Sequence, residues 1–183
     1  MESDKTTISP APSQGDETAA CGVQPLSADN VRRVRHAVEL FTQGYNCSQS
    51  VVAAFADLYS LPVDTALRLS ASFGGGIGRM RQTCGAACGM FMLAGLDCGC
   101  TDAADREGKS HNYAVVQRLA AEFKAVNGSL VCAELLGLKR PEGSPEASER
   151  TAQYYKKRPC AKMVETAARI FARHIESQRA EGV

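Results

Sequence analysis

Thr83-Cys84-Gly85-Ala86-Ala87-Cys88-Gly89-Met90-Phe91-Met92-Leu93-Ala94-Gly95-Leu96 carries no charged side chain and is dense in small residues. A helix with that composition has no polar face to offer water, so it must be packed on all sides. The stretch therefore predicts a central helix over Cys84 to Leu96, capped by Thr83. Its glycines and its length, short of the ~18 consecutive apolar residues a spanning helix needs, argue against a membrane span. Upstream lies Phe73-Gly74-Gly75-Gly76-Ile77-Gly78. Four glycines in five positions are costly inside any regular element, so this segment reads as a loop.

Working outward from that centre, helical signals repeat. Ser27 is placed to cap a first helix, with Leu26 and Val31 stapling its first turn and Val31, Val34, Val38 and Phe41 at helical spacing, up to Gly44. Asn46 and Gln49 form a capping-box pattern for a second helix that runs to about Tyr59, and a short helix fits Pro62 to Ser70. Downstream, residues 97–102 read as a turn. A long amphipathic helix follows, with Val115, Leu119, Phe123 and Val126 as its stripe and Asn127-Gly128 as its end. Ser129 is placed to cap a short helix containing Cys132, and residues 139–150 read as a surface connection. Pro159 opens a last helix with Met163, Ala167, Ile170 and His174 on one face and Val164, Ala168, Phe171 and Ile175 beside it. No alternating strand pattern and no repeat appear. The expectation is an all-α, single-domain bundle of about six helices over residues 26–178, preceded by a tail at residues 1–25 whose Ser/Thr/Pro/Ala composition predicts disorder.

At 183 residues the chain is long enough to bury a core without covalent staples. Its net charge of +1 offers no field for nucleic acid or an anionic membrane, so neither is an expected partner. Residues 1–26 show no basic start followed by an apolar stretch, and a cytoplasmic location is the expectation. In a reducing compartment, eight cysteines point to metal ligation or thiol redox chemistry rather than permanent disulfides.

Four of these cysteines fall at predicted helix starts: Cys47 after Asn46, Cys84 after Thr83, Cys132 after Ser129 and Cys160 after Pro159. Unpaired N–H groups and the positive end of the helix dipole favour thiolate there, which suits either a nucleophile or a metal ligand. The plainer alternative is that each is a small buried hydrophobe. Cys88, one turn beyond Cys84, either joins the same site or lets two helices approach. Cys98 and Cys100 form a C-x-C turn that could add ligands, while Cys21 in the tail reads as incidental. His36, His111 and His174 read as surface or core-edge residues. Gly74 to Gly78 matches no phosphate-binding motif, so no nucleotide is expected; these glycines would instead let backbone approach a buried group near Cys84, with Arg79 and Arg81 available to neutralise an anion.

The quoted residues, Asn46-Cys47-Ser48-Gln49, Phe73-Gly74-Gly75-Gly76, Cys84-Gly85-Ala86-Ala87-Cys88-Gly89, Cys132-Ala133-Glu134-Leu135 and Pro159-Cys160, resemble the C_GCAxxG_C_C family of redox-active proteins over about residues 30–175. The resemblance places the family's cysteines on Cys47, Cys84, Cys132 and Cys160. It implies an electron-transfer or metal-binding role with an iron–sulfur cluster as cofactor, a redox partner protein, and a relation to the domain that carries haem in split-Soret cytochromes. This chain has no C-x-x-C-H, so haem is not carried over.

Three functions follow as alternatives. The first is a cysteine-held iron–sulfur cluster passing electrons to a partner. The second is a metal-free thiol–disulfide oxidoreductase using two of the same four cysteines. The third is a structural zinc site, ranked last because the gaps of 37, 48 and 28 residues between successive cysteines are unlike the close pairs of such sites.

Overall fold

Ser27 accepts a hydrogen bond from the Asn30 amide and starts α1 (Ala28–Thr42). A computed structural model describes residues 25–139 and 144–180. The tail up to residue 24, with Cys21, lies outside the described residues. Glu176 accepts from both the Ser27 amide (2.8 Å) and the buried Asn30 amide group (2.7 Å), tying the start of α1 to the last helix. That pull rotates the inner face of α1 away from the predicted stripe. Asn30, Val34, Ala37, Leu40 and Phe41 are buried, whereas Val31 is exposed.

The capping box forms as the sequence predicts. The Asn46 side chain accepts from the Ser48 and Gln49 amides, Gln49 accepts from the Asn46 amide, and α2 (Cys47–Phe55) follows, passing through a 3-10 turn that ends at Tyr59. α3 (Val63–Ser70) follows Pro62.

The decisive stretch forms α4 (Gly85–Cys98), buried along most of its length and packed against α2. It starts one residue later than predicted. Cys84, not Thr83, is the residue before the first helical one, because Thr83 is drawn into an isolated antiparallel bridge with Val131. A Cβ on Gly89 would stand 2.9 Å from the Ser48 carbonyl and 3.0 Å from the Val51 side chain, so a small residue there sets how closely α2 and α4 meet.

Asp105 accepts from Gly108 and starts α5 (Arg106–Asn127), which Gly128 terminates at φ +87°. Val115, Leu119 and Phe123 are buried as predicted; Val126 lies beyond the packed end and is exposed. Ser129 accepts from the Val131 amide, so it shapes the turn while Val131 itself precedes α6 (Cys132–Leu135). Just beyond the predicted surface connection, Thr151 caps a short α7 (Ala152–Lys157) that is absent from the sequence expectation. Tyr155 fastens it to the end of α1 by donating to the Phe41 and Thr42 carbonyls.

The last helix, α8 (Cys160–Ala180), begins immediately after Pro159, whose carbonyl accepts from Met163. All eight residues of its two predicted inner faces are buried. α8 packs against α1, α4, α2 and α5, with Phe171 edge-on to Phe55 at 5.2 Å. His174 is a core residue, not one at the surface. Arg118, which can only donate, contacts its Nδ1 at 2.9 Å, so Nε2 carries the proton and donates to Asp97 at 3.0 Å. His36 and His111 are exposed.

Among the described residues there are eight α-helices, six of them eight residues or longer, and no strand. The bundle is all-α, and no described helix is long and apolar enough to cross a membrane.

Candidate functional site

Four helix starts meet at one cavity. Cys47 and Cys132 are the first residues of α2 and α6, Cys84 precedes α4, and Cys160 is the first residue of α8. All four are buried, and all four line a cavity of about 430 Å³. Backbone bonding brings them together. The Cys84 amide donates to the Leu130 carbonyl at 2.8 Å and the Cys132 amide to the Gln82 carbonyl at 2.6 Å, so the bridge that displaced Thr83 also places Cys84 beside Cys132.

The glycine loop forms the cavity's floor. Asn46 holds it by donating to the Ala71 carbonyl at 2.8 Å, and Gly74 packs directly on the Asn46 side chain. Five consecutive residues, Gly75 to Arg79, have positive φ, and Arg81 follows at +60°. Glycine adopts this region freely, but Ile77, Arg79 and Arg81 adopt it against the steric preference of L-residues. Gly76 is confined twice: its φ is +74°, and a Cβ there would lie 2.5 Å from that of Cys132. The sequence reading identified the loop and its close approach to a buried group near Cys84; the structure shows the group approached most closely is Cys132. The strained backbone also brings Arg79 and Arg81 to the cavity wall.

Helix starts alone do not make these thiols acidic. Burial pushes Cys84 up to about 12, against the Ala86 and Ala87 amides that pull it down. Burial likewise raises Cys132, although Arg81 bonds to it and opposes the rise. Cys47 and Cys160 perturb each other's ionisation. The neighbouring Cys160 raises the Cys47 pKa well above the ordinary thiol range, and burial adds to the rise. Cys47 in turn brings Cys160 down to about 7 against its own burial, helped by the charges of Arg158, Arg150 and Arg81. The expectation that every helix start favours thiolate holds for Cys160 alone, because removal from water outweighs a half-charge dipole at Cys84 and Cys132, and the neighbouring Cys160 together with burial does so at Cys47.

Cys88 does not line the cavity. Its S–H points to the Thr83 carbonyl at 3.8 Å, and burial pushes it up to about 11, with Cys132 as a neighbouring charge. Cys98 closes the far end of α4, about 20 Å along the helix from Cys84 at ~1.5 Å per residue. There it donates to the Ala94 carbonyl and accepts from Asn112. Cys100 contacts Asp105 at 3.1 Å. The C-x-C pair and the cavity therefore stand at opposite ends of α4.

Arg79 and Arg81 line the cavity as the sequence suggests, and two further arginines, Arg150 and Arg158, join them without a signal at their own positions. Arg150 lies over the Phe41 ring at 4.9 Å and the Tyr154 ring at 4.6 Å, and Arg158 over Tyr154 at 4.9 Å. Arg79 donates to the Ser144 carbonyl and the Ser148 hydroxyl, fastening the loop to the segment that carries Arg150. One signal was available, Thr151 ahead of Tyr154-Tyr155, a capping residue before an aromatic pair that needed something to pack on. Among the described residues no group of three or more Cys, His, Asp or Glu side chains is gathered as ready-made ligands for a metal ion.

In this all-helical chain four buried cysteines from four helix starts converge on one cavity walled by arginines. The family model described as "Putative redox-active protein (C_GCAxxG_C_C)" matches residues 45–174, and the chain belongs to that family. No curated protein and no solved structure matches the chain.

Proposed function

We propose that this protein is a thiol redox protein whose working pair is Cys47 and Cys160, cycling between dithiol and disulfide. The observation that carries the reading is that Cys47 and Cys160, each the first residue of its helix, are both buried at one cavity, where Cys47 and the arginines lower the pKa of Cys160. Cys160 is the attacking sulfur: at about 7 its pKa lies near ambient pH, where thiolate fraction and intrinsic nucleophilicity are best balanced. Cys47, which lines the same cavity, is the resolving sulfur. Cys84 and Cys132 line the same cavity as protonated thiols, and the Arg81 bond keeps Cys132 the more ionisable of the two.

A second reading is favoured by one further observation, that all four sulfurs line a single cavity together with arginines and, among the described residues, no carboxylate. That donor set has the chemistry an anionic iron–sulfur cluster needs. Cys47, Cys84, Cys132 and Cys160 would hold it, and it would supply one-electron transfer to a partner protein. The close pass of Gly76 beside Cys132 leaves backbone, not side chain, next to that space. Cys88, Cys98 and Cys100 would not be ligands in this reading.

Thiol counting decides between the two. Anaerobically purified protein, analysed for iron and sulfide and then oxidised and re-reduced, should lose and regain two thiols, with peptide mapping placing the disulfide at Cys47–Cys160. Stoichiometric iron and sulfide with all four thiols protected would instead establish the cluster.

A further inference from the structure

We infer that the cavity is a binding site for a small disulfide bearing carboxylates, which the arginine wall holds against Cys160. The inference rests on the thiol-pair reading and names its substrate class.

Size comes first. Cys47 and Cys160 are each only 9% exposed, so the flat surface of a folded partner cannot bring a disulfide onto them without displacing the walls. The cavity of about 430 Å³ falls within the range of small-molecule sites, roughly 300–1,000 Å³.

Charge comes second. Arg79, Arg81, Arg150 and Arg158 line the cavity, and no Asp, Glu or Lys does so among the described residues. The whole chain carries only +1, so this is a local concentration of charge and not a general property of the surface.

Arg150 carries the argument furthest. Its guanidinium is fixed between the Phe41 and Tyr154 rings, and one nitrogen, Nη2, donates to the Tyr45 carbonyl at 3.4 Å. The other, Nη1, is buried with no hydrogen-bond partner among the described residues. A buried charged donor left without an acceptor is costly, and native proteins rarely keep one unless something else supplies the acceptor. Arg158, held on the same Tyr154 ring, makes no ion pair among the described residues. Two stacked guanidiniums beside a buried thiolate suit a carboxylate, which accepts two parallel N–H bonds from such a fork.

The reaction balances without a further reagent. The Cys160 thiolate attacks one sulfur of the bound disulfide RS–SR; that S–S bond breaks, RS⁻ leaves, and Cys160 carries a mixed disulfide with R. Cys47 gives up its proton to the departing thiolate and attacks Cys160 Sγ, which forms the Cys47–Cys160 disulfide and expels the second RS⁻. Two electrons pass from the protein dithiol to RS–SR, and the products are one RSH, one RS⁻ and the oxidised protein.

The test uses three small symmetric disulfides of opposite charge: dithiodiglycolate (anionic), bis(2-hydroxyethyl) disulfide (neutral) and cystamine (cationic). Each is mixed with the pre-reduced full chain, and Cys47–Cys160 disulfide formation is followed by quenched peptide mapping. Each rate is divided by that of the same reagent with 2-mercaptoethanol. The expected order is anionic, neutral, cationic, with at least about tenfold between the first and last, the factor that ~1.4 kcal/mol of charge-assisted contact provides. Arg158→Gln, and independently Arg150→Gln, should compress that order, while Lys124→Gln on the exposed face of α5 should leave it intact. Equal normalised rates, or cystamine fastest, would overturn the anionic site while leaving the thiol pair standing. Failure of all three reagents and of diamide to join Cys47 to Cys160 would overturn the pair itself, and this inference with it.

Discussion

Replacing Cys47 by alanine removes the neighbour that most lowers the Cys160 pKa, and the effect can be worked from the site. The fall of Cys160 from an ordinary 9.0 to about 7 corresponds to about 3 kcal/mol of preference for thiolate, at ~1.4 kcal/mol per pH unit. Cys47 is its largest cause. Without Cys47, burial is opposed only by Arg158, Arg150 and Arg81, and the Cys160 midpoint should return to 9 or above. At pH 7 the thiolate fraction then drops from about one half to about one hundredth, roughly 50-fold. A more basic thiolate is also more nucleophilic, and a Brønsted slope of ~0.4–0.5 returns about 6- to 10-fold of that loss. The initial rate with a neutral disulfide, 4,4′-dithiodipyridine, should therefore fall by only about 5- to 8-fold at pH 7. At pH 10 the order should invert, with Cys47→Ala the faster protein. The assay is a stopped-flow pH–rate profile in a background where Cys21, Cys98 and Cys100 are serine. A wild-type midpoint near 9, or a midpoint that Cys47→Ala leaves in place, would refute the assignment of the thiolate to Cys160.

Three further outcomes follow from the same geometry. Gly76→Ala should destabilise the fold by about 2 kcal/mol or more, since a non-glycine residue in the left-handed region costs ~1–2 kcal/mol and the new Cβ would also displace Cys132; an unchanged denaturant midpoint would contradict this. Cys84 titrates near 12 in the fold against about 9 unfolded, so the unfolded chain holds fewer protons between those values and stability must fall as pH rises through them, by up to about 4 kcal/mol from this group. Urea unfolding at pH 8, 10 and 11.5 should show that decline, and Cys84→Ala should show a shallower one. Phe171→Ala empties the contact of α8 with Phe55 and should cost about 3–5 kcal/mol by thermal or chemical unfolding, without altering the Cys160 pH profile.

The central helix was readable because a run of small uncharged residues can only be buried, and α8 because its two inner faces repeat without interruption from Met163 to Ile175. Errors arose where a polar partner distant in sequence overrode local pattern. Glu176 turned Asn30 inward and Val31 outward, and Val131 drew Thr83 out of its capping role. Neither pairing leaves a trace at the positions it changes.

At the site, helix-start spacing was enough to select Cys47, Cys84, Cys132 and Cys160, and the structure brings those four to one cavity. Spacing could not reveal which of them ionises. That outcome depends on how deeply each sulfur is buried and on guanidiniums supplied by segments the sequence marked only as loop and surface connection. Arg150 and Arg158 sit on a Tyr154 ring that only the tertiary fold places there.

The most direct test is a redox titration of the full chain in dithiothreitol buffers, with the thiol state of every cysteine mapped at each potential. The account predicts one two-electron transition, in which Cys47 and Cys160 alone lose their thiols and become joined to each other. A chain in which those two stay reduced while other cysteines pair, or in which no cysteine changes across the titration, would contradict it.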